Sequence, residues 1–345
     1  MLMTLREAAL IILILLGFSL RLTDGGGIPI SVAALILGLL LVFLSSDPVV
    51  EGFKGLSLHT GLSEYITGIV SSLASNLPEA VLAVFMALSP HLREVAVLTV
   101  MLASAFNGLL LGLLIIMLTL EGGRIVIPRR EMEHEVEVMR ITVAFTLLIF
   151  GAGVIINLFH GEPHLPREVP PFLLLAYLSY LYFIGRGARR DEGAKAESGW
   201  IRMLILGLIG IILSGELISS SLELLVERFR IHIVIAATLI GFAGSIPEHG
   251  LALLGARRGH VELGVSNLLS GIVQSIMLIF PLLSILIPIE LDGYVLYQLL
   301  AISTTLWMVK KAIVDDGCFT LDEGVSILLA HLLGIVLFDE LSRLI

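Results

Sequence analysis

The sequence predicts an all-α polytopic membrane protein of about eleven transmembrane helices: one N-terminal helix, then two inverted-topology five-helix repeats. Three observations predict it. The 345 residues are 57% hydrophobic and only 15% charged. Eleven apolar runs have roughly the length a bilayer demands. A polar pattern recurs 169 residues further along the chain.

Composition comes first. Soluble domains run near 45–50% apolar and about 25% charged, and a mean hydropathy of +1.01 lies far from that regime. A disordered chain and an ordinary cytosolic enzyme are excluded. With 21 Lys and Arg against 30 Asp and Glu, a net charge of -9 offers no basic surface for nucleic acid. The single cysteine, Cys318, excludes a disulfide framework and a cysteine-based zinc site. The expected partners are the lipid bilayer and small ions, with no resident cofactor. Oligomeric state is left open.

The apolar runs lie near 6–23, 28–46, 64–88, 94–120, 138–158, 171–185, 200–226, 231–255, 262–289, 292–313 and 322–343. The first resembles a signal peptide, but no small-residue cleavage site follows it, so it reads as a span. Lys and Arg then orient the chain. Taking the N-terminus and every second loop as one side places fifteen of them there and six on the other. This predicts a multi-pass protein of the cell membrane with a cytoplasmic N-terminus and an external C-terminus. Two long polar stretches fall on the cytoplasmic side. Residues 121–137, with Glu131, Glu133, Glu135 and Glu137, read as a solvated connector, with a regulatory cation site as the alternative. Residues 186–199 read as the linker between halves. The organisation is thus an N-terminal helix at 1–27, a first repeat at 28–185, that linker, and a second repeat at 200–345.

The repeat rests on two constellations. Ser71-Ser72-Leu73-Ala74-Ser75-Asn76-Leu77-Pro78-Glu79 falls on Ile240-Gly241-Phe242-Ala243-Gly244-Ser245-Ile246-Pro247-Glu248. Asp47 falls on Glu216 and Gly38 on Gly207, and each Pro-Glu acid lies 32 residues after its upstream acid. Five spans per half is an odd number, so the second half runs upside down, as in many secondary transporters.

Glu79 and Glu248 then sit near the bilayer midplane. An acid there needs a partner or a water-filled cavity, and two facing acids repel unless a cation lies between them. A hard dication such as calcium takes six to eight oxygen ligands. Pro78 and Pro247 free backbone carbonyls one turn earlier, and in lipid these must be satisfied internally or line a cavity. Beside them stand Ser75, Asn76, Gly244 and Ser245. The next span of each half adds Ser104 and Asn107, then Ser266, Asn267, Ser270, Gln274 and Ser275. Ser270 and Gln274 share a helix face. Interhelical packing is the competing reading for the serines. Asp47 and Glu216, near span ends, read as structural or vestibule groups. His249 reads as a proton-linked group or a structural histidine.

At these residues the chain resembles the cation/calcium exchanger superfamily, whose sodium branch shows G-T-S-x-P-E and whose proton branch shows G-N-A-x-E with E-H in the second repeat. Pro78-Glu79 and Pro247-Glu248 are similar to the sodium branch. Asn76, Glu248-His249 and Ser270-Gly271-Ile272-Val273-Gln274 with Pro281 are similar to the proton branch, as is the extra N-terminal span. The resemblance implies two inverted five-helix repeats, with Glu79 and Glu248 as central calcium ligands and Asn76 and Ser245 beside them. The G-T-S threonine is absent from both halves, and uncharged Ser275 stands where the sodium branch carries an acid. These departures favour proton coupling. The expectation is a secondary antiporter that exports calcium, or a related divalent cation, against protons, with sodium exchange as the alternative and a passive channel as a remote one. An enzyme is not expected: His134-Glu135 is not followed by H-E-x-x-H geometry, and no span carries Gly-x-Ser-x-Gly.

Overall fold

The computed structural model describes residues 5–22, 27–62, 64–127, 132–160, 164–187, 199–229, 233–242, 253 and 261–341. Helix occurs in each of the eleven expected spans. The helices are α1 (Leu5–Arg21), α2 (Ile28–His59), α3 (Glu64–Ser75), α4 (Leu77–Leu88), α5 (Arg93–Gly122), α6 (Glu133–His160), α7 (Val169–Gly187) and α8 (Trp200–Phe229). They continue with α9 (Ile233–Phe242), α10 (Val261–Gln274), α11 (Phe280–Leu286), α12 (Gly293–Lys311), α13 (Leu321–Val336) and α14 (Phe338–Leu341). Among the described residues five stretches are long and apolar enough to cross a membrane alone, and α3 with α4 forms a sixth, bent by 41°. Local chemistry sets several starts. Asp292 accepts the Val295 amide at the head of α12, and Thr320 with Glu323 forms a capping box on α13.

The chain forms two compact units, residues 1–99 with 183–247, and 100–182 with 248–345. Each draws helices from both halves of the sequence.

In the first unit α2 and α8 pack along their length through glycines. A side chain on Gly38 would meet Ile218 and the Ser214 carbonyl; one on Gly207 would meet Val49 and the Ser45 carbonyl. The 169-residue shift carries Gly38, Ser45 and Val49 onto Gly207, Ser214 and Ile218, so the two contacts are mates. Further along, Gly52 lies against the Leu204 backbone and Gly55 against Trp200. As α2 advances, its partner on α8 recedes: the helices are antiparallel, which is what an inverted repeat requires. Small residues allow this approach in lipid, where apolar side chains gain little by leaving their neighbours.

Helix α1 lies against both. Leu10 and Ile14 join Ala34, Leu37, Leu41, Leu213 and Leu217 in one cluster. Its two arginines take the repeat-related acids, Arg6 on Asp47 and Arg21 on Glu216, each at 2.6 Å, while its Glu7 receives Arg202 at 2.6 Å. This corrects the reading of Asp47 as a group at a span end. The second span does not stop at 46: α2 continues through Asp47 and Pro48 to His59, because Val49, Gly52, Gly55 and Ser57 are buried.

In the second unit α6 meets α12 through Thr146 and Ser303, 2.6 Å apart. Helix α12 meets α13 through Thr305 and His331, 3.0 Å apart, and through Tyr297, whose hydroxyl donates to the Ala330 carbonyl at 2.6 Å. Part of the acidic stretch is helix rather than connector, while residues 123–127 are a bend and a short strand, and residues 128–131 lie outside the described ones. Glu133 and Glu135 occupy the first turn of α6, where the helix dipole favours carboxylates. Glu135 is also half-buried and accepts the Ser266 hydroxyl at 2.5 Å.

Inside each unit several pairings join segments that the count of Lys and Arg assigns to one side. In the first, Arg6, Asp47, Glu7 and Arg202, expected on one face, are ion-paired. In the second, short strands β1 (Ile125–Val126) and β2 (Cys318–Phe319) pair antiparallel between loops expected on that same face. His164 and Glu290, expected on the opposite face, form an isolated bridge.

Candidate cation-binding site

The first group of predicted residues surrounds the α3–α4 break. Pro78 has no N–H for the Ala74 carbonyl, so the helix ends at Ser75 and restarts at Leu77, with Asn76 between. The Ser72 carbonyl accepts both the Ser75 hydroxyl at 2.8 Å and the Asn76 amide at 3.2 Å. Ser71 bonds the Thr67 carbonyl at 2.8 Å. Glu79 is the third residue of α4 and only 8% exposed. It therefore sits at the positive end of a half-helix that begins inside a span.

The second group lies on α5 in the other unit. Ser104 is 0% and Asn107 1% exposed, and three positions apart they share a face. The Ser104 hydroxyl and both amide atoms of Asn107 have no hydrogen-bond partner among the described residues. Leaving a buried polar group unsatisfied costs about 1–3 kcal/mol, so such an arrangement points to a ligand or water that completes it. Asn107 packs on Gly271 of α10, where a Cβ would lie 2.5 Å from its Nδ2.

The third group is the end of α10. The Gln274 amide donates to the Ser270 hydroxyl at 2.7 Å, joining the two on one face as their spacing requires. Ser275 is fully buried and opens a π-helical turn, Ser275–Ile279, closed by the Phe280 amide on the Ser275 carbonyl. Pro281 has no N–H for the carbonyl four residues earlier, and the widened turn accommodates that loss; such turns recur at functional sites.

The structure thus brings Ser75 and Asn76 together at one carbonyl, near Glu79 in sequence, and joins Ser270 to Gln274. Gly244, Ser245, Glu248 and His249 lie outside the described residues. Ser266 is held by Glu135. Thr67 and His331 are two of the buried polar residues that escaped the sequence reading. Thr67 is buried, its hydroxyl without a partner among the described residues, and at four-residue spacing it continues the Ser71–Ser75 face; that spacing was the available signal. His331 is fully buried on α13, so close to Gly108 that any side chain there would collide with its ring. A lone histidine in an apolar run gives no sequence signal for that contact.

Comparison with known proteins gives three results. The family described as sodium/calcium exchanger protein matches residues 30–186 and 200–338. Inner membrane protein YrbG of Escherichia coli K12 is 27% identical over 282 residues, covering 76% of this chain and 82% of that protein. Among solved structures, the H+/Ca2+ exchanger CAX superposes with a TM-score of 0.73 at 14% identity, covering 98% of this chain and 93% of that one. The sodium-calcium exchanger NCX_Mj gives 0.61 at 19%, covering 90% and 98%. At these identities the structural likeness establishes the fold.

Proposed function

Since the chain belongs to the sodium/calcium exchanger family, integral membrane proteins that exchange cations, we propose that it exports calcium, or a related divalent cation, in exchange for protons. The observation that carries this reading is Glu79, a carboxylate 8% exposed at the head of a helix that restarts within a span. In lipid such an acid is expensive and marks an ion pathway, where a cation or a proton can neutralise it. Glu79 and Glu248 bind the dication when both are ionised, with oxygens of Asn76, Ser75, Ser245, Ser104 and Asn107 completing its shell. Protons neutralise the two carboxylates for the return step. Competition for the same oxygens couples the fluxes. The glycine-lined α2–α8 pair moves as one body against the rest, with the N-terminus in the cytoplasm.

Uncharged Ser275, where the sodium branch carries an acid, supports protons as counter-ion. CAX exchanges H+ for Ca2+. Sodium is the second reading, favoured by the Pro78-Glu79 dipeptide. Everted vesicles separate the two. Calcium uptake should follow an imposed pH gradient and be indifferent to sodium; the opposite pattern establishes sodium exchange. Uptake without any counter-ion gradient would establish a channel. Glu79→Gln and Glu248→Gln should each abolish uptake while the protein still folds, and transport retained by either variant overturns the two-carboxylate mechanism.

A further inference from the structure

A set of side chains of metal-ligating type stands apart from Glu79, at the other end of its helix. Helix α4 ends at Leu88, and Ser89 leads into a 3-10 turn, Pro90–Leu92, that presents His91. Opposite it, in the same unit, the last turns of α8 carry Glu223 and Glu227, four residues apart and so on one face. One ligand atom from each of His91, Glu223 and Glu227 lies within 4.8 Å of the others. His91 Nε2 stands 3.5 Å from Glu227 Oε1. Two donors on one tetrahedral zinc ion, each about 2.1 Å from the metal, stand about 3.4 Å apart, so this pair already has the right separation. The Ser89 hydroxyl donates to Glu223 Oε1 at 2.7 Å, holding one carboxylate oxygen and leaving the other free, as outer partners of metal-bound carboxylates do.

Charge balance points the same way. In this unit Glu7, Asp47, Glu51 and Glu216 each meet an Arg or Lys. Glu223 and Glu227 meet neither among the described residues, although like charges four apart on a helix repel. The imidazole facing them is a ligand for borderline transition metals rather than for calcium.

We propose that His91, Glu223 and Glu227 form a binding site for a divalent transition metal of the zinc type, distinct from the transport site. The metal ties the turn after α4 to the end of α8. It thereby joins the helix that carries Glu79 in the first repeat to the first helix of the second.

The test uses the full-length protein in detergent, stripped with chelator and titrated with Co2+, whose visible absorption reports a mixed nitrogen and oxygen site; Zn2+ then displaces it. Wild type should bind one equivalent and gain thermal stability with Zn2+. His91→Ala and Glu227→Gln, both at exposed positions, should weaken binding at least tenfold and lose the Zn2+-dependent rise in Tm, with metal-free Tm unchanged. Glu79→Gln should bind Co2+ as wild type does, so failure of the transport mechanism and failure of this site are separable. Wild-type affinity in His91→Ala and Glu227→Gln overturns the proposal, as does loss of binding in Glu79→Gln.

Discussion

Asn107 is held with both side-chain amide atoms unpaired among the described residues, in a space that only glycine at 271 provides. Gly271→Ala drives a methyl group into its amide, and overpacking of this kind costs about 1–3 kcal/mol. The expected outcome is a lower thermal midpoint in detergent together with a fall in calcium uptake of tenfold or more. Gly151→Ala, which meets open space, should change neither. Two polar pairs elsewhere in that unit join across helices, Thr146 with Ser303 and Thr305 with His331. Thr305→Val strips the His331 ring of its described partner and should destabilise by about 1–3 kcal/mol, with the calcium KM unchanged in vesicles. Sequence separates these classes only in part. Ser104 and Asn107 stand out because amides are scarce in apolar runs, whereas the claim of Glu135 on Ser266 depends on two segments 131 residues apart.

At the scale of elements, the positions of the helices were legible because hydropathy alone places spans. The freed carbonyl behind Pro78 was legible too, but the α3–α4 break itself was not, because α2 runs unbroken through Pro48. Pro78→Ala restores the missing N–H and should straighten the 41° bend. The folded variant should then lose calcium uptake, with wild-type helical content by circular dichroism. The extent of α2 was not legible. Residues 47–59 carry two acids, a proline and a lysine and read as a loop. They are helical because Gly52 and Gly55 seat that segment on Leu204 and Trp200 of α8, a partner supplied by the other half of the chain. The pairing of Asp47 and Glu216 with the two ends of α1 was hidden for the same reason. Gly52→Leu would press a side chain into the Leu204 backbone, which cannot rotate away, and should lower stability by about 2 kcal/mol or more. Thermal unfolding in detergent measures it.

For the whole molecule, the pairings found within each unit join segments that the count of Lys and Arg assigns to one face. They leave the absolute direction to experiment. Cysteines introduced into residues 186–199, in a chain whose Cys318 is replaced by serine, should be labelled by an impermeant maleimide only from the cytoplasm. Labelling of intact cells from outside overturns the proposed orientation. The inverted repeat was legible from two Pro-Glu dipeptides and a constant spacing. The mixing of helices from both halves within each compact unit was not, because spacing reports kinship between segments and says nothing about which of them touch.

The reciprocal contact between α2 and α8 has the form of a two-fold interface: Gly38 does to α8 what Gly207 does to α2. In an assembly of identical subunits that relation marks a surface complementary to itself. Two copies of a single half, inserted into the bilayer in opposite directions, would meet through this same surface. The chain carries, between its own second and seventh spans, the geometry of an antiparallel homodimer whose two partners belong to one polypeptide.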